Sequence, residues 1–515
     1  MWLVRTMNHL IDWYSKGFWL AAFSLIFWHY VREKEGWAKL AQLGLVLGIT
    51  IYSISFSFVQ VTATSKILLL TKDLLLLGFT SLLFQAIRKY KRLYWLAVIL
   101  LYALSRLFIS QWHKNEFATN KDIINTEDEW ELLVTLDGKN GLESLKTFVE
   151  KNDLILKQAF VLQDKAGTSL DDYYSIEIPE DQEKNTIDIK AQLSALKHVA
   201  WIEDNETITV EPDIPSHEIN RNFKPLVNDP YVNKQWAVEI LGWNRVLELY
   251  QKGLLKPKKK SKIFILDTGV DGNHEDLKAS YVSLEKNYDV DEKGHGSHVA
   301  GIAAALSNNG KGISSVFPNG EFASVTSIKV LGRFGAGTQR DIINGMLKAV
   351  DNGATVINMS LGGRSLDSRQ NAYNDAVLYA NKKGCIVVVA AGNDNADARN
   401  YAPANARGVI TVSAIDTSLQ KASFSNSVEF IQYRIAAPGA DIFSTIPGNQ
   451  YAPFNGTSMA SPYVTGLVAL IKSVHPDLNT EEVYNLINSS GMESTHTRIT
   501  GKVINAGNVV EKLVE

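Results

Sequence analysis

The chain has 515 residues, 45% apolar and 21% charged, with a formal net charge of −3 at neutral pH. That length exceeds one ordinary domain and predicts roughly two to four; the near-neutral total gives no electrostatic ground for nucleic-acid binding. The single cysteine, Cys385, excludes an intramolecular disulfide and a cysteine-based zinc site, and its run Gly384-Cys-Ile-Val-Val-Val389 reads as a buried strand.

The first 112 residues are the most apolar part of the chain. Four segments, 9–31, 40–61, 66–87 and 93–109, each approach the ~20 residues needed to cross a bilayer, with Trp and Tyr near several ends. They predict an all-α transmembrane region over 1–112 and a lipid bilayer as partner. Lys72 and Asp73 interrupt the third segment, and a water-facing bundle of buried helices is the alternative. The loops after segments one and three carry Arg32, Lys34, Lys39, Arg88, Lys89, Lys91 and Arg92; the other side carries Arg5, Lys16, Lys66, Lys114 and Lys121. That excess predicts a multi-pass integral membrane protein with everything after residue 112 extracytoplasmic, an orientation that reverses if the third segment does not span.

Residues 113–215 form a second region. Glu131-Leu-Leu-Val-Thr-Leu136 reads as a strand. Residues 141–152 carry Leu142, Leu145 and Val149 at helical spacing. Further strands are predicted at 154–162 and 173–178, a helix at 187–199 and a last strand at 200–210. The order βαββαβ fits a ferredoxin-like α+β plait. A plain structural domain without chemistry is the alternative to any functional role.

Chemistry appears in residues 216–515. Lys262-Ile-Phe-Ile-Leu-Asp-Thr-Gly-Val270 sets a carboxylate, Asp267, at the C-terminal end of a β-rich run, where open α/β sheets build their sites. Gly294-His-Gly-Ser-His-Val-Ala-Gly301 lets His295 open a helix between flexible glycines. Asn455-Gly-Thr-Ser-Met-Ala-Ser-Pro462 puts Ser458 at the positive start of another helix. A serine hydroxyl needs a base, histidine is one near neutral pH, and a buried carboxylate fixes the imidazole tautomer. Asp-His-Ser is one of the chain orders in which such triads occur. His298 reads as structural.

From about Asn228 to the C-terminus the chain resembles the subtilase family of serine peptidases. The resemblance implies an α/β subtilisin-like domain with a central, mostly parallel sheet flanked by helices. It implies peptide-bond hydrolysis through an acyl-enzyme, with Asp267, His295 and Ser458 as triad. Ala390-Ala391-Gly392-Asn393 resembles the family's oxyanion segment, with Asn393 as donor, and Ser360-Leu361-Gly362-Gly363 its edge strand for an extended polypeptide substrate. Ser297 and Tyr463 depart from the family pattern, where Thr and His are usual, and neither removes a catalytic group. Residues 196–204 resemble the end of a subtilase propeptide. This implies that the middle region acts as an intramolecular chaperone and inhibitor, with autocleavage in the polar junction 211–228. Asn228-Asp-Pro-Tyr231 resembles the start of thermitase-like domains. It implies a structural Ca²⁺ held by Asp229, Asp276, the Asn309 side chain and the carbonyls of Leu306, Lys311 and Ile313, all hard oxygen donors. A metal-free polar loop is the alternative. No organic cofactor is expected. Two other readings of the whole are a catalytically silent peptide-binding protein and a membrane sensor on the same scaffold.

Overall fold

The computed structural model describes residues 18–57, 73, 77–104, 131–137, 141–162, 168–179, 182, 185–210, 214, 216–219, 226–332, 334–365 and 371–515. Its packing divides into two units, Met1–Asp122 and Ile123–Glu515.

In the first unit, helices cover 18–31, Glu35–Ser57 (α1), 77–87 and Lys91–Leu104 (α2). Ile26, Phe84 and Tyr94 form its small core. His29 is buried and hydrogen-bonds Ser81 at 2.8 Å. Among the described residues, no helix is long and apolar enough to cross a membrane. This overturns the expected multi-pass membrane region and the orientation drawn from its loop charges. The physical reason lies in each helix. In α1, Glu35 and Lys39, paired at 2.7 Å, and then Gln42 interrupt the apolar residues of the first two turns. The described part of α2 opens on two charged residues, Lys91 and Arg92. Positions 9–17, 58–61, 66–72, 74–76 and 105–109 of the four segments lie outside the described residues.

The second unit opens with strands β1 (Glu131–Leu136), β2 (Ile155–Gln158), β3 (Tyr173–Glu177) and β4 (Val199–Asp204). They form an antiparallel sheet in the order β2-β3-β1-β4. Helices Gly141–Lys151 (α3) and Thr186–Ser194 (α4) lie between strands in sequence. Leu132, Val134, Leu145, Phe148, Ile176 and Leu193 form one core. Leu133 and Tyr173, on the opposite pleat, belong to another cluster, shared with Ile342, Met346, Ala372 and Tyr373 of the following domain. Both faces of the sheet are therefore covered, which explains why β1 is apolar at consecutive positions.

The larger domain is built on a seven-stranded sheet. With β6 (Ser261–Asp267), β7 (Ala323–Lys329), β9 (Val356–Met359), β11 (Ile386–Ala390), β13 (Ile410–Ile415), β14 (Tyr433–Pro438) and β17 (Lys502–Val503), the order is β17-β14-β13-β11-β9-β6-β7, and every pairing is parallel. Two-stranded sheets pair β5 (Thr207–Thr209) with β8 (Ala336–Thr338), β10 (Gly363–Arg364) with β12 (Tyr401–Ala402) and β15 (Ile442–Ile446) with β16 (Gln450–Phe454). Such strands are buried on both faces and read as continuous Val/Ile runs. Cys385, just before β11, is fully buried, and burial pushes its thiol up. Helices His295–Ala304 (α5) and Thr457–Val474 (α8) share one core with one sheet face, while Gln339–Asp351 (α6) and Asn371–Lys382 (α7) share the other. From β6 the chain steps to β7 on one side and later to β9 on the other. That reversal opens a crevice at the C-terminal ends of the strands.

Candidate active site

Asp267 is the last residue of β6, at this crevice, and its side chain is fully buried. Its Oδ1 lies 2.8 Å from His295 Nδ1. It also accepts the Thr268 backbone N–H at 2.8 Å. Burial disfavours the His295 imidazolium, but the Asp267 carboxylate outweighs it and raises the pKa above the ordinary histidine value. Two glycines make this approach sterically feasible. A Cβ on Gly296 would stand 2.1 Å from the Gly269 carbonyl oxygen. Gly269 has φ +108°, and a Cβ there would stand 2.1 Å from the Val290 carbonyl oxygen.

Sequence reasoning missed Asp291. Its carboxylate accepts the backbone N–H groups of Gly294 and Ser297, both at 2.8 Å, and the Thr268 hydroxyl at 2.8 Å. It caps the start of α5 and ties that start to the turn after Asp267. An acid a few residues ahead of a Gly-His helix start was the available signal. His298 is structural: it stacks on Phe454 at 4.2 Å and hydrogen-bonds the Ala452 carbonyl at 3.0 Å, and burial holds its pKa down at about 3.

Ser458 is the second residue of α8. Its hydroxyl donates to the Ser360 carbonyl oxygen at 3.3 Å, and no hydrogen bond joins it to His295 among the described residues. The Ser360 hydroxyl donates to the Ser458 carbonyl at 2.7 Å, and Asn358 accepts the hydroxyls of Ser461 and Thr465, both at 2.9 Å. The start of α8 is thus locked to the end of β9. Asn393 Oδ1 accepts Thr457 N–H at 2.8 Å and Thr457 Oγ1–H at 2.9 Å. Its Nδ2 sits beside Gly456, 3.2 Å from where a Cβ would stand. Ala390 and Ala391 are buried at the end of β11, and Gly392 N–H donates to Thr457 Oγ1 at 3.0 Å.

The expected edge strand is occupied by the chain itself. Strand β5 (Thr207–Thr209) pairs antiparallel with β8 (Ala336–Thr338), Ile208 opposite Gly337. On its other side Thr209 and Gly362 exchange both backbone hydrogen bonds, at 3.3 and 3.1 Å. Val210 N–H donates to the Gly335 carbonyl at 2.8 Å. The β8 edge was not read from sequence, although Gly335-Ala-Gly337 is its signal. Past the site, the Ser216 hydroxyl donates to the Pro453 carbonyl at 2.6 Å and His217 N–H to Asp441 at 2.6 Å. Residues 211–213, 215 and 220–225 of the junction, where autocleavage was expected, lie outside the described residues.

A profile of the subtilase family matches residues 258–503. The chain is 35% identical over 363 residues to the thermophilic serine proteinase of Bacillus sp. (strain AK1), covering 66% of this chain and 85% of that protein. This chain belongs to the subtilase family. It is a subtilisin-type serine endopeptidase. It is also 43% identical over 236 residues to subtilisin DY of Bacillus licheniformis, covering 44% of this chain and 82% of that one. Thermitase of Thermoactinomyces vulgaris is 43% identical over 218 residues, 41% of this chain and 75% of that one.

The subtilase also gathers part of the expected cation site. Asp229 accepts Asn308 N–H and Asn309 N–H at 2.8 and 3.0 Å. Asp276 accepts Asn309 Nδ2–H and Ile313 N–H, both at 2.8 Å. Burial, with Asp229 nearby, pushes the Asp276 carboxyl up to about 7. Leu306, Lys311 and Ile313 lie on the same loop. Among the described residues, no group of three or more His, Cys, Asp or Glu side chains is gathered to hold a metal. The partners of both carboxylates here are N–H donors, and Asn309 Oδ1 accepts the Lys311 N–H at 2.7 Å.

Proposed function

We propose that Ser458 is the nucleophile of this peptidase, His295 its general base and Asp267 the residue that orients the base. The reading rests above all on the 2.8 Å Asp267–His295 contact at the end of β6, together with a serine at a helix start held against the end of β9. Ser458 Oγ attacks the scissile carbonyl carbon as its proton passes to His295. The oxyanion takes hydrogen bonds from Asn393 Nδ2 and the Ser458 N–H. When the intermediate collapses, the C–N bond breaks and His295 returns the proton to the leaving amine. Water, deprotonated by the same imidazole, then releases the acyl group. Substrate lies extended along Ser360-Leu361-Gly362, between that edge and β8, with Ala390-Ala391-Gly392 beside it.

In the same reading, residues 113–215 are a propeptide with a ferredoxin-like plait, 216–515 the peptidase, and β5 a substrate mimic that blocks the cleft. The sheet order β2-β3-β1-β4 and the two-sided pairing of Thr207–Thr209 support it. Cleavage in the junction after residue 210 would free the cleft. Ca²⁺, held by Asp229, Asp276, Asn309 and the carbonyls of Leu306, Lys311 and Ile313, would neutralise two buried carboxylates and brace the loop.

Hydrolysis of an unstructured fluorogenic peptide tests the triad. Ser458→Ala and His295→Ala, each folded like the wild type, are expected to lose about 10⁶-fold in kcat, and Asp267→Asn about 10⁴-fold. Retained activity in Ser458→Ala would overturn the assignment.

A further inference from the structure

The middle region and the peptidase meet at a charge pair remote from the triad. Arg340 is the second residue of α6, just past the β8 edge of the cleft. Its Nη1 pairs with Glu131, the first residue of β1. The Glu131 side chain has no exposed surface and that of Arg340 is 18% exposed. The second Glu131 oxygen accepts Asn205 Nδ2–H at 2.7 Å, and Asn205 Oδ1 accepts the Arg340 backbone N–H at 2.8 Å. The contacts therefore close a ring, from Arg340 side chain to Glu131, to Asn205 and back to the Arg340 backbone. Ser175 Oγ lies 3.5 Å from Nη1, and Asp341 Oδ1 lies 3.9 Å from Arg340 Nε.

A buried ion pair of this kind adds little over an apolar pair of similar volume, but losing one partner is severe, because the remaining charge stays desolvated. That asymmetry serves discrimination more than affinity. We propose that Arg340 is the residue by which the peptidase recognises its own middle region. A middle region without an acid at position 131 would be rejected, and this one would fail against a peptidase with no cation at position 340. The inference rests on the reading of residues 113–215 as an inhibitor of the cleft.

The test uses the full chain and its initial rate of peptide hydrolysis, read before processing accumulates. Wild type, Arg340→Met, Arg340→Lys, Glu131→Met and the Glu131→Met/Arg340→Met double variant are compared, each checked by thermal unfolding. The single Met variants are expected to start about a hundredfold faster than the latent wild type. Arg340→Lys, with the charge but not the forked donor, should fall between. The double variant should regain most of the latency. Single variants as latent as the wild type, or a double variant as leaky as the singles combined, would overturn the proposal. If a single variant does not fold, the double variant decides. Recovered folding and latency support the pair, and no recovery overturns it. A wild type that starts at full rate would remove the inhibitor reading itself, a result distinct from these.

Discussion

Thr209 and Gly362 exchange two backbone hydrogen bonds, Thr209 N–H to the Gly362 carbonyl at 3.3 Å and Gly362 N–H to the Thr209 carbonyl at 3.1 Å. An edge strand that would bind substrate is thus already paired with the protein's own chain. Thr209→Pro removes the first of these bonds and leaves the Gly362 carbonyl unpaired there. It is predicted to raise the initial peptidase rate of the unprocessed chain about tenfold or more, read as loss of the lag in product formation.

The pH profile follows from His295. As base it works only when neutral, and Asp267 raises its pKa above the usual histidine value. The rate should therefore climb with pH through a midpoint above ~6.5. Asp267→Asn removes the stabilising charge, so the midpoint should move down while the maximum rate falls. A midpoint that stays put in this variant would show that Asp267 does not set the base.

Asn393→Ala is predicted to lower kcat by about 10²–10³ with little change in KM, because its amide would meet the oxyanion and not the ground-state carbonyl. Steady-state kinetics on one peptide separate the two parameters. An effect on KM alone would return Asn393 to a structural role at the Thr457 turn.

Asp291→Ala leaves the N–H groups of Gly294 and Ser297 without their acceptor. A lost helix cap of this kind costs about 1–2 kcal/mol. Denaturant unfolding should register that loss, and kcat should fall as His295 loses its fixed entry to α5.

Cation removal gives a signed prediction. Without metal, the Asp276 carboxyl has its pKa raised to about 7, above the unfolded value of ~3.9. The folded state then binds more protons than the unfolded state across that window, so stability falls as pH rises through it. Chelation should lower Tm more at pH 8 than at pH 5, and added Ca²⁺ should restore it. Asp276→Asn should abolish the Ca²⁺ response. A Tm indifferent to chelator at both pH values would count against a cation at this loop.

Much of the candidate site could be read because each motif is local. Asp267 ends an apolar strand, and His295 and Ser458 each follow a glycine-containing run into a helix, so side-chain type and backbone position are written in adjacent residues. The rest depended on distant partners. The predicted strand 200–210 breaks at Asn205 and Glu206, and its second half leaves its own sheet to pair with β8, more than a hundred residues on. Nothing local signals that exchange. Likewise the predicted strand 154–162 is regular only over Ile155–Gln158; Ala159, Phe160 and Leu162 join the apolar cluster shared with the peptidase helices. The membrane expectation failed for a related reason. The four segments were read from apolar content alone; in α1, Gln42 falls inside the predicted segment 40–61 and the Glu35–Lys39 pair lies just ahead of it.

The most direct measurement treats the full chain and its Ser458→Ala variant with a tagged fluorophosphonate, which reacts with an activated serine, and reads the labelled bands. The account predicts a labelled wild-type band that is absent from the variant, appearing only as the chain shortens by its N-terminal part. Labelling of correctly folded Ser458→Ala, or no labelling of the processed wild type, would contradict it.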